Sequence, residues 1–438
     1  MTILHYVLIA LGGLFALFGI VALIVGAQYV FRGNPMERVR VIPDEDKGGE
    51  ATSHAHPHFC RQLELHVETD LEPGSHVEVL FNGEQVYPRL WEDLRGAQRL
   101  ITWHVYWFKP SSLADTLKQI LIERARAGVE VLFLYDQFGA SGTSTDYFDA
   151  LRDAGVEVHR FRGVKWNTVY KAQKRSHIRA VVIDGSVGYT GGFGIHDDWR
   201  GDGRHEGQWR DTSVRLRGPV VHQLQSAFAA DWIEATGELL VGDGLFPPEV
   251  GELDGPHHAG VVLGTPSIGS TDMERYLALS IFGARETLYI TNAYFVPDDD
   301  FRHLLCEAKE RNVDVRVLTP GANSDQTSTW YAGRAHYEQL LEAGVRIYEY
   351  RPTMVHAKTL VADGIWSAVG TVNFDNRSLS LNDEVTLLVY DREVAARLHD
   401  QFLEDLELAD ELSLEEFRER GAWARAKEYF WVIWSRLL

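Results

Sequence analysis

Cysteine is scarce. Cys60 and Cys306 are the only two in 438 residues, which excludes a fold stapled by several disulfides. Cys306 falls in a helical pattern and is expected as a buried thiol, as suits a reducing compartment. Positive charge is also in short supply, with 43 Lys and Arg against 63 Asp and Glu and a net charge of −20. So acidic a chain is a poor general nucleic-acid binder, because phosphate contacts dominate that affinity. It suits an anionic lipid only where its positive charge is gathered locally. The 45% hydrophobic content is that of a folded protein, and the length accommodates two domains with sizeable cores.

Charge of either sign is absent from Ile3 to Val30. A run of about 20 apolar residues crosses a bilayer, and no basic stretch precedes this one as in a cleaved signal peptide. Residues 1–31 are therefore read as a retained transmembrane anchor. Arg32, Arg38 and Arg40 follow, so the positive-inside rule puts the rest of the chain in the cytoplasm. Residues 32–73 read as a polar linker. Its His54-Ala-His56-Pro-His58 run has metal-chelating spacing, but no Cys or carboxylate constellation accompanies it, and no metal is expected. At the other end, residues 411–438 read as an amphipathic helix. Trp423, Phe430, Ile433, Trp434 and Leu437 share its apolar face, with Arg425, Lys427 and Arg436 near by. Such a helix either lies in a membrane interface or packs on the protein.

Between these ends strand and helix alternate, and the order occurs twice. Leu100–His104, Leu113–Ala127, Val129–Leu134 and Tyr147–Ala154 are matched by Leu288–Thr291, Phe301–Glu310, Val313–Leu318 and Tyr331–Ala343. Such alternation predicts an α/β fold of two repeats, 74–245 and 255–410, each a mixed sheet flanked by helices. The Gly- and Pro-rich stretch from Gly237 to Gly264 marks the boundary.

Each repeat carries the same pattern. His177-Ile-Arg179 is followed by Asp184 and by Gly191-Gly192, and His356-Ala-Lys358 by Asp363 and by Gly370-Thr371-Val372-Asn373. The Asp lies 7 residues after the His and the Gly 14 after it in both copies (177, 184 and 191; 356, 363 and 370). Residues two apart on a strand point to one face, so each copy sets an imidazole beside a fixed positive charge. Two histidines supply a nucleophile and an acid for a leaving alkoxide, while Lys358 and Arg179 hold nonbridging phosphate oxygens. Asn373 donates a further hydrogen bond, with Thr371 and Gly192 beside the phosphate; Gly194 has no side chain to donate. Asp184 and Asp363, at a strand end before Gly, read as structural more than proton-transferring, although they belong to the motif. Arg160, Arg162, Lys165, Lys171, Lys174 and Arg175 precede His177 with no acidic residue among them, and Trp166 and Tyr170 interleave the run. This is the expected electrostatic entrance for anionic headgroups, with Lys174 and Arg175 nearest the site.

The duplicated pattern resembles the phospholipase D superfamily, whose mark is His-x-Lys-x4-Asp. The stretches Val182-Ile-Asp-Gly-Ser-Val-Gly-Tyr-Thr-Gly-Gly192, Tyr294-Phe-Val-Pro297, Val355-His-Ala-Lys-Thr359 and Leu381-Asn-Asp-Glu-Val385 are similar to cardiolipin synthases, over about Val77 to Asp391. Three positions depart: Arg179 stands for the family's Lys, Gly194 for Asn and Thr371 for Ser. The resemblance implies a phosphohistidine intermediate without metal or cofactor, with His177 as nucleophile and His356 as acid. It also implies carboxylates behind the imidazoles at Glu384, 28 residues after His356, and Asp211, 34 after His177. The implied activity is a phosphatidyltransferase joining two phosphatidylglycerols into cardiolipin and glycerol, at a bacterial inner membrane. A phospholipase D hydrolase, a nuclease with the same motif pair and a catalytically dead scaffold stay open. The oligomeric state is not read from the sequence.

Overall fold

The computed structural model describes residues 3–30, 38–42, 52–163, 174–248, 255–266 and 269–432. Strand β1 (Glu72–Gly74) precedes β2 (His76–Phe81), β3 (Leu100–Val105), β4 (Glu130–Asp136), β5 (Glu157–Phe161), β6 (Ala180–Ile183), β7 (Val187–Gly191) and β8 (Thr212–Arg217). Then come β9 (Gly255–Gly264), β10 (Thr287–Asn292), β11 (Asp314–Thr319), β12 (Arg346–Tyr350), β13 (Lys358–Ala362), β14 (Trp366–Gly370), β15 (Glu384–Tyr390) and β16 (Ala409–Glu411). They form two sheets, ordered β2-β8-β7-β6-β3-β4-β5 and β1-β9-β15-β14-β13-β10-β11-β12-β16. The duplication seen in sequence is thus a duplication of topology: β8-β7-β6-β3-β4-β5 in one sheet, β15-β14-β13-β10-β11-β12 in the other.

In each sheet three strands run parallel, β3-β4-β5 and β10-β11-β12. Parallel neighbours need crossovers, and helices Ser112–Arg126, Thr145–Asp153, Asp299–Glu310 and Thr327–Glu342 supply them. Their starts are written locally: the Ser111 hydroxyl accepts from Ala114 N, and the Asp298 side chain from Phe301 N. Gly128, at φ +90°, turns the first of them back toward β4. The two sheets share a core in which Val79, Val182 and Leu216 meet Val261, Val361, Val385 and Leu387, all buried. This seam is what lets one repeat complete the other's site.

Three expectations change. Part of the expected linker is folded: Thr52 onward packs against the second repeat, with helix Phe59–Glu64 and buried Phe59, Leu63, Val67 and Leu71. His54 is fully buried there, its ring against Phe59 and Trp366 and its Nδ1 3.1 Å from Asp363 Oδ2. The C-terminal stretch is not one helix but two, Leu414–Arg418 and Ala422–Val432, with Gly421 between. Ile433, Trp434, Arg436 and Leu437 lie outside the described residues. Cys306, expected buried, is half-buried, as is Cys60.

Ile3–Val30 is a helix with no acidic residue in its first turn and no basic one in its last. Side chains are described within it only at His5, 11–21, Leu23 and Ile24. Among the described residues no helix is long and apolar enough to cross a membrane.

Candidate active site

The two motif strands lead into a seam of exchanged backbone bonds. Ser176 and Asp383 form one parallel bridge, and Arg210 and Val355 another. His177 N donates to Asp383 O at 2.8 Å, and His356 N to Arg210 O at 2.7 Å. Each histidine is therefore pinned to the residue just before a carboxylate of the other repeat. The side chains follow. His177 Nδ1 lies 3.0 and 2.9 Å from Glu384 Oε1 and Oε2, and His356 Nδ1 lies 2.9 Å from Asp211 Oδ2. The sequence spacing counts Glu384 from His356 and Asp211 from His177; the fold crosses those pairs.

Both imidazoles are buried, at 7% and 4% exposure, so their protonation depends on their partners. Burial pushes His177 well below its ordinary pKa, with the Arg179 and Lys358 charges adding. Burial and then Lys358 push His356 down to about 3, against the pull of Asp211. The two carboxylates differ. Burial raises Glu384 to about 7, opposed by bonds from Thr371, Ser378 and Asn382 and by Arg179. Burial alone would raise Asp211 too, but His356, Lys358 and the Trp199 N–H outweigh it, and its pKa is lowered. Trp199 Nε1 and Thr212 N each donate to Asp211 at 2.7 Å.

Arg179 and Lys358 occupy equivalent places. Arg179 Nη1 donates to the carbonyl of His177 at 3.0 Å, and the Lys358 ammonium donates to the carbonyl of His356. Arg179 Nε also donates to Phe193 O at 2.8 Å, so part of its fork is committed to backbone. Burial lowers Lys358 to about 7. Arg179 is lowered by burial as well but, as a guanidinium, stays charged.

Several expected substrate contacts do other work. The Thr371 hydroxyl donates to Glu384 Oε2 at 2.5 Å, fixing the carboxylate rather than meeting phosphate. Gly192 makes room for Asp211: a Cβ there would sit 2.0 Å from Asp211 Oδ1. Asn373 is buried, its Nδ2 donating to Ser378 Oγ at 3.3 Å and its Oδ1 unpartnered among the described residues. At Gly194 a Cβ would lie 2.9 Å from the Trp199 ring, so Trp199 fills the space an Asn would need.

Asp184 and Asp363 close their strands at the end away from the histidines. At about 3.3 Å per residue, seven residues put them roughly 20 Å off. Both adopt left-handed backbone, at φ 53° and 51°. Asp184 accepts from the N–H groups of Gln98, Arg99 and Leu100, and Asp363 from those of Arg285, Glu286 and Thr287. They tie loops together and do not reach the reacting groups. The basic run is also not a solvated entrance throughout. Arg162 is half-buried, its guanidinium held between Glu234 and Asp383 at 2.6 and 2.5 Å, and Arg175 is buried over the Phe138 ring. Lys174 is half-buried beside it; Lys165, Trp166, Tyr170 and Lys171 lie outside the described residues.

Aromatic residues unforeseen in sequence line the dyads. Trp209 stacks on His356 with centroids 5.3 Å apart, Trp199 meets it edge-on at 5.1 Å, and Tyr106 meets His177 edge-on at 5.1 Å. The tryptophans lie in the Gly-rich stretch between Gly191 and Asp211, which the motif spacing brackets without interpreting.

This arrangement can be set against known proteins. The family described as "Cardiolipin synthase, PLD-like domain" matches residues 278–406. A cardiolipin synthase of Geobacillus sp. (strain WCH70) is 36% identical over 83% of this chain and 73% of its own length. Cardiolipin synthase 2 of Bacillus anthracis is 33% identical over 97% of this chain and 85% of its own. Among solved structures, the phosphatidylserine synthase of Haemophilus influenzae Rd KW20 shares the fold with a TM-score of 0.66 at 13% identity, covering 87% of this chain and 100% of that one. Identity at that level over most of both chains places the protein: it belongs to the cardiolipin synthase family, the phosphatidyltransferases of the phospholipase D type.

Proposed function

We propose that the protein is a membrane-anchored cardiolipin synthase that converts two phosphatidylglycerols into cardiolipin and glycerol through a phosphohistidine. The observation that carries the reading is the pair of crossed His–carboxylate dyads with Lys358 and Arg179 between them. With Nδ1 held by a carboxylate, each imidazole has Nε2 left for chemistry. His177 is neutral and faces the carboxylate that burial has raised, as suits a nucleophile. His356 faces Asp211, whose lowered pKa favours an imidazolium once a phosphodiester anion offsets Lys358.

In the first half-reaction His177 Nε2 bonds to phosphorus, the bond from phosphorus to the glycerol oxygen breaks, and His356 gives that oxygen its proton. In the second, a hydroxyl of another phosphatidylglycerol gives its proton to His356 and bonds to phosphorus while the P–N bond breaks. The scheme balances without metal or cofactor. Water in place of the second lipid would yield phosphatidic acid, the hydrolase alternative; the names carried by the relatives favour synthesis.

We assign the two repeats to 74–245 and 255–410, and the anchor to residues 1–31. Support for the anchor comes from the helix Ile3–Val30, on which Leu14, Phe15, Leu17, Phe18 and Leu23 are all exposed. The arginines after it favour a cytoplasmic catalytic part. Helix Ala422–Val432 offers a second contact: Glu428 is turned inward to Arg334 and Arg420, while Trp423, Tyr429 and Phe430 are exposed. The test is to incubate the purified full chain with phosphatidylglycerol labelled in its headgroup and resolve the products. Cardiolipin and free glycerol in equal amounts are expected; phosphatidic acid with glycerol and no cardiolipin would make the protein a hydrolase.

A further inference from the structure

Tyr294, the residue two beyond β10, stands beside the His356 half of the site. Its ring lies 6.5 Å from the His356 ring, and the Lys358 Nζ lies 5.8 Å from the ring centroid. Its hydroxyl bonds Asp325, at 2.9 and 3.1 Å to the two carboxylate oxygens. Asp325 belongs to neither motif. It is exposed, yet enough protein surrounds it that burial raises its carboxyl pKa, against the Tyr294 bond and the Lys358 charge.

The other carboxylates near the centre are spent. Asp211 and Glu384 hold the imidazoles. Asp375 is buried and caps a helix through Ser378 N at 2.7 Å, and Asp136 is buried and accepts from Phe138 N at 2.8 Å. Asp325 differs in being open to solvent, and a carboxylate has about four acceptor sites, of which the Tyr294 hydroxyl and Gln326 use part. A negative charge beside a site for a phosphodiester anion is unfavourable unless it faces a part of the substrate that donates hydrogen bonds. The first repeat lacks it. Aligning Ser144-Thr145 with Ser328-Thr329 puts Ser141 opposite Asp325, and Ser141 is engaged by Lys109, 3.1 Å from its hydroxyl. The acceptor is thus confined to the His356 side, where the alcohol leaves and the second alcohol enters.

We infer that Asp325, oriented by Tyr294, accepts from the non-reacting hydroxyls of a glycerol headgroup and selects for it in both half-reactions. The inference rests on the functional reading above and names the part of the substrate this side of the site takes. The carboxylate would accept from both free hydroxyls of the departing glycerol, and from the central hydroxyl of the incoming phosphatidylglycerol, whose terminal hydroxyl keeps its proton for His356; each time the reacting oxygen is positioned against His356. It would also disfavour water as acceptor, which has no second hydroxyl for Asp325 to hold while its reacting oxygen faces His356.

The experiment uses the full chain in mixed micelles and compares wild type with Asp325→Asn and Asp325→Ala. The substrates are phosphatidylglycerol, phosphatidylethanolamine and phosphatidyl-p-nitrophenol, whose leaving group has no hydroxyl to hold. For both variants kcat/KM on phosphatidylglycerol should fall about 10- to 100-fold, the loss of a charge-assisted hydrogen bond. The p-nitrophenol burst should stay within about 2-fold, and more phosphatidyl-enzyme should go to phosphatidic acid. Equal losses on phosphatidylglycerol and p-nitrophenol substrates would make Asp325 a structural or purely electrostatic group. Unchanged phosphatidylglycerol kinetics would overturn the inference, as would a loss confined to phosphatidylethanolamine, which would make the carboxylate a reader of ammonium. A wild type that makes no cardiolipin overturns the functional reading and this one with it; wild-type synthesis with an unaffected variant overturns this one alone.

Discussion

The imidazole of His177 is held by a carboxylate 207 positions away, in the other repeat: Nδ1 lies 2.9 Å from Glu384 Oε2. His356 and Asp211 repeat the arrangement in reverse. The crossing predicts which half of the chemistry each carboxylate serves. Glu384→Gln should slow attack on every substrate, on the order of 10^2-fold. Asp211→Asn should slow phosphatidylglycerol cleavage by a similar factor and spare a p-nitrophenol leaving group, which needs no proton. Single-turnover burst rates with both substrates decide it; the opposite assignment would mean that each carboxylate serves the histidine of its own repeat.

Gly192 bears on the same dyad. A methyl group there would press on Asp211, so Gly192→Ala should shift that carboxylate and cost on the order of 10^2 in kcat with the fold retained. The loss should mimic Asp211→Asn in sparing the p-nitrophenol substrate. Wild-type activity in this variant would show that Asp211 yields without consequence.

Lys358 sets a pH dependence. With its pKa lowered from 10.5 to about 7, the free enzyme loses this positive charge as pH rises through that value. kcat/KM should therefore fall on the alkaline side from near pH 7, while the limb in kcat lies higher, because bound phosphodiester stabilises the ammonium. Stability moves the other way. The unfolded chain holds this proton up to about pH 10.5, so unfolding takes up a proton between about pH 7 and 10.5, and this group's contribution to stability rises across that window. Lys358→Arg should abolish the alkaline fall in kcat/KM, whatever its effect on the plateau; an unchanged profile would assign the limb to another group.

The seam itself is fastened by two buried ion pairs of opposite polarity. Arg210, just before Asp211, is bound by Asp405 of the second repeat at 2.8 Å, and Asp383, just before Glu384, by Arg162 of the first at 2.5 Å. Arg210→Ala leaves Asp405 buried without its partner and should destabilise the protein by about 3–5 kcal/mol, read from denaturant unfolding. Replacing the pair together, Arg210→Met with Asp405→Leu, should recover much of that loss.

Much of this was legible in sequence because it is periodic or repeated. The α/β alternation, the two copies and the His, Lys and Arg positions all recur at fixed spacing, and the sheets reproduce them as one topology twice. The crossing was not, since it is a relation between repeats and no spacing within one repeat encodes it. Phe59, Leu63, Val67 and Leu71 do recur four apart inside the expected linker, Phe59 and Leu63 on the helix that ends at Glu64, but the polar residues and histidines around them mask the pattern. Thr371 and Gly192 sit beside the phosphate positions in the chain, but they act through Glu384 and Asp211. Trp199 and Trp209 carry no motif at all and are placed on His356 only by the fold.

In the proposed mechanism His177 carries the phosphatidyl group while His356 moves the proton. The direct measurement is to react the full chain with phosphatidyl-p-nitrophenol, quench under alkaline conditions that preserve phosphohistidine, and map the adduct by mass spectrometry. The predicted result is a phosphatidyl adduct on His177 in wild type and in His356→Ala, and none in His177→Ala. An adduct on His356, or one that persists in His177→Ala, would contradict it.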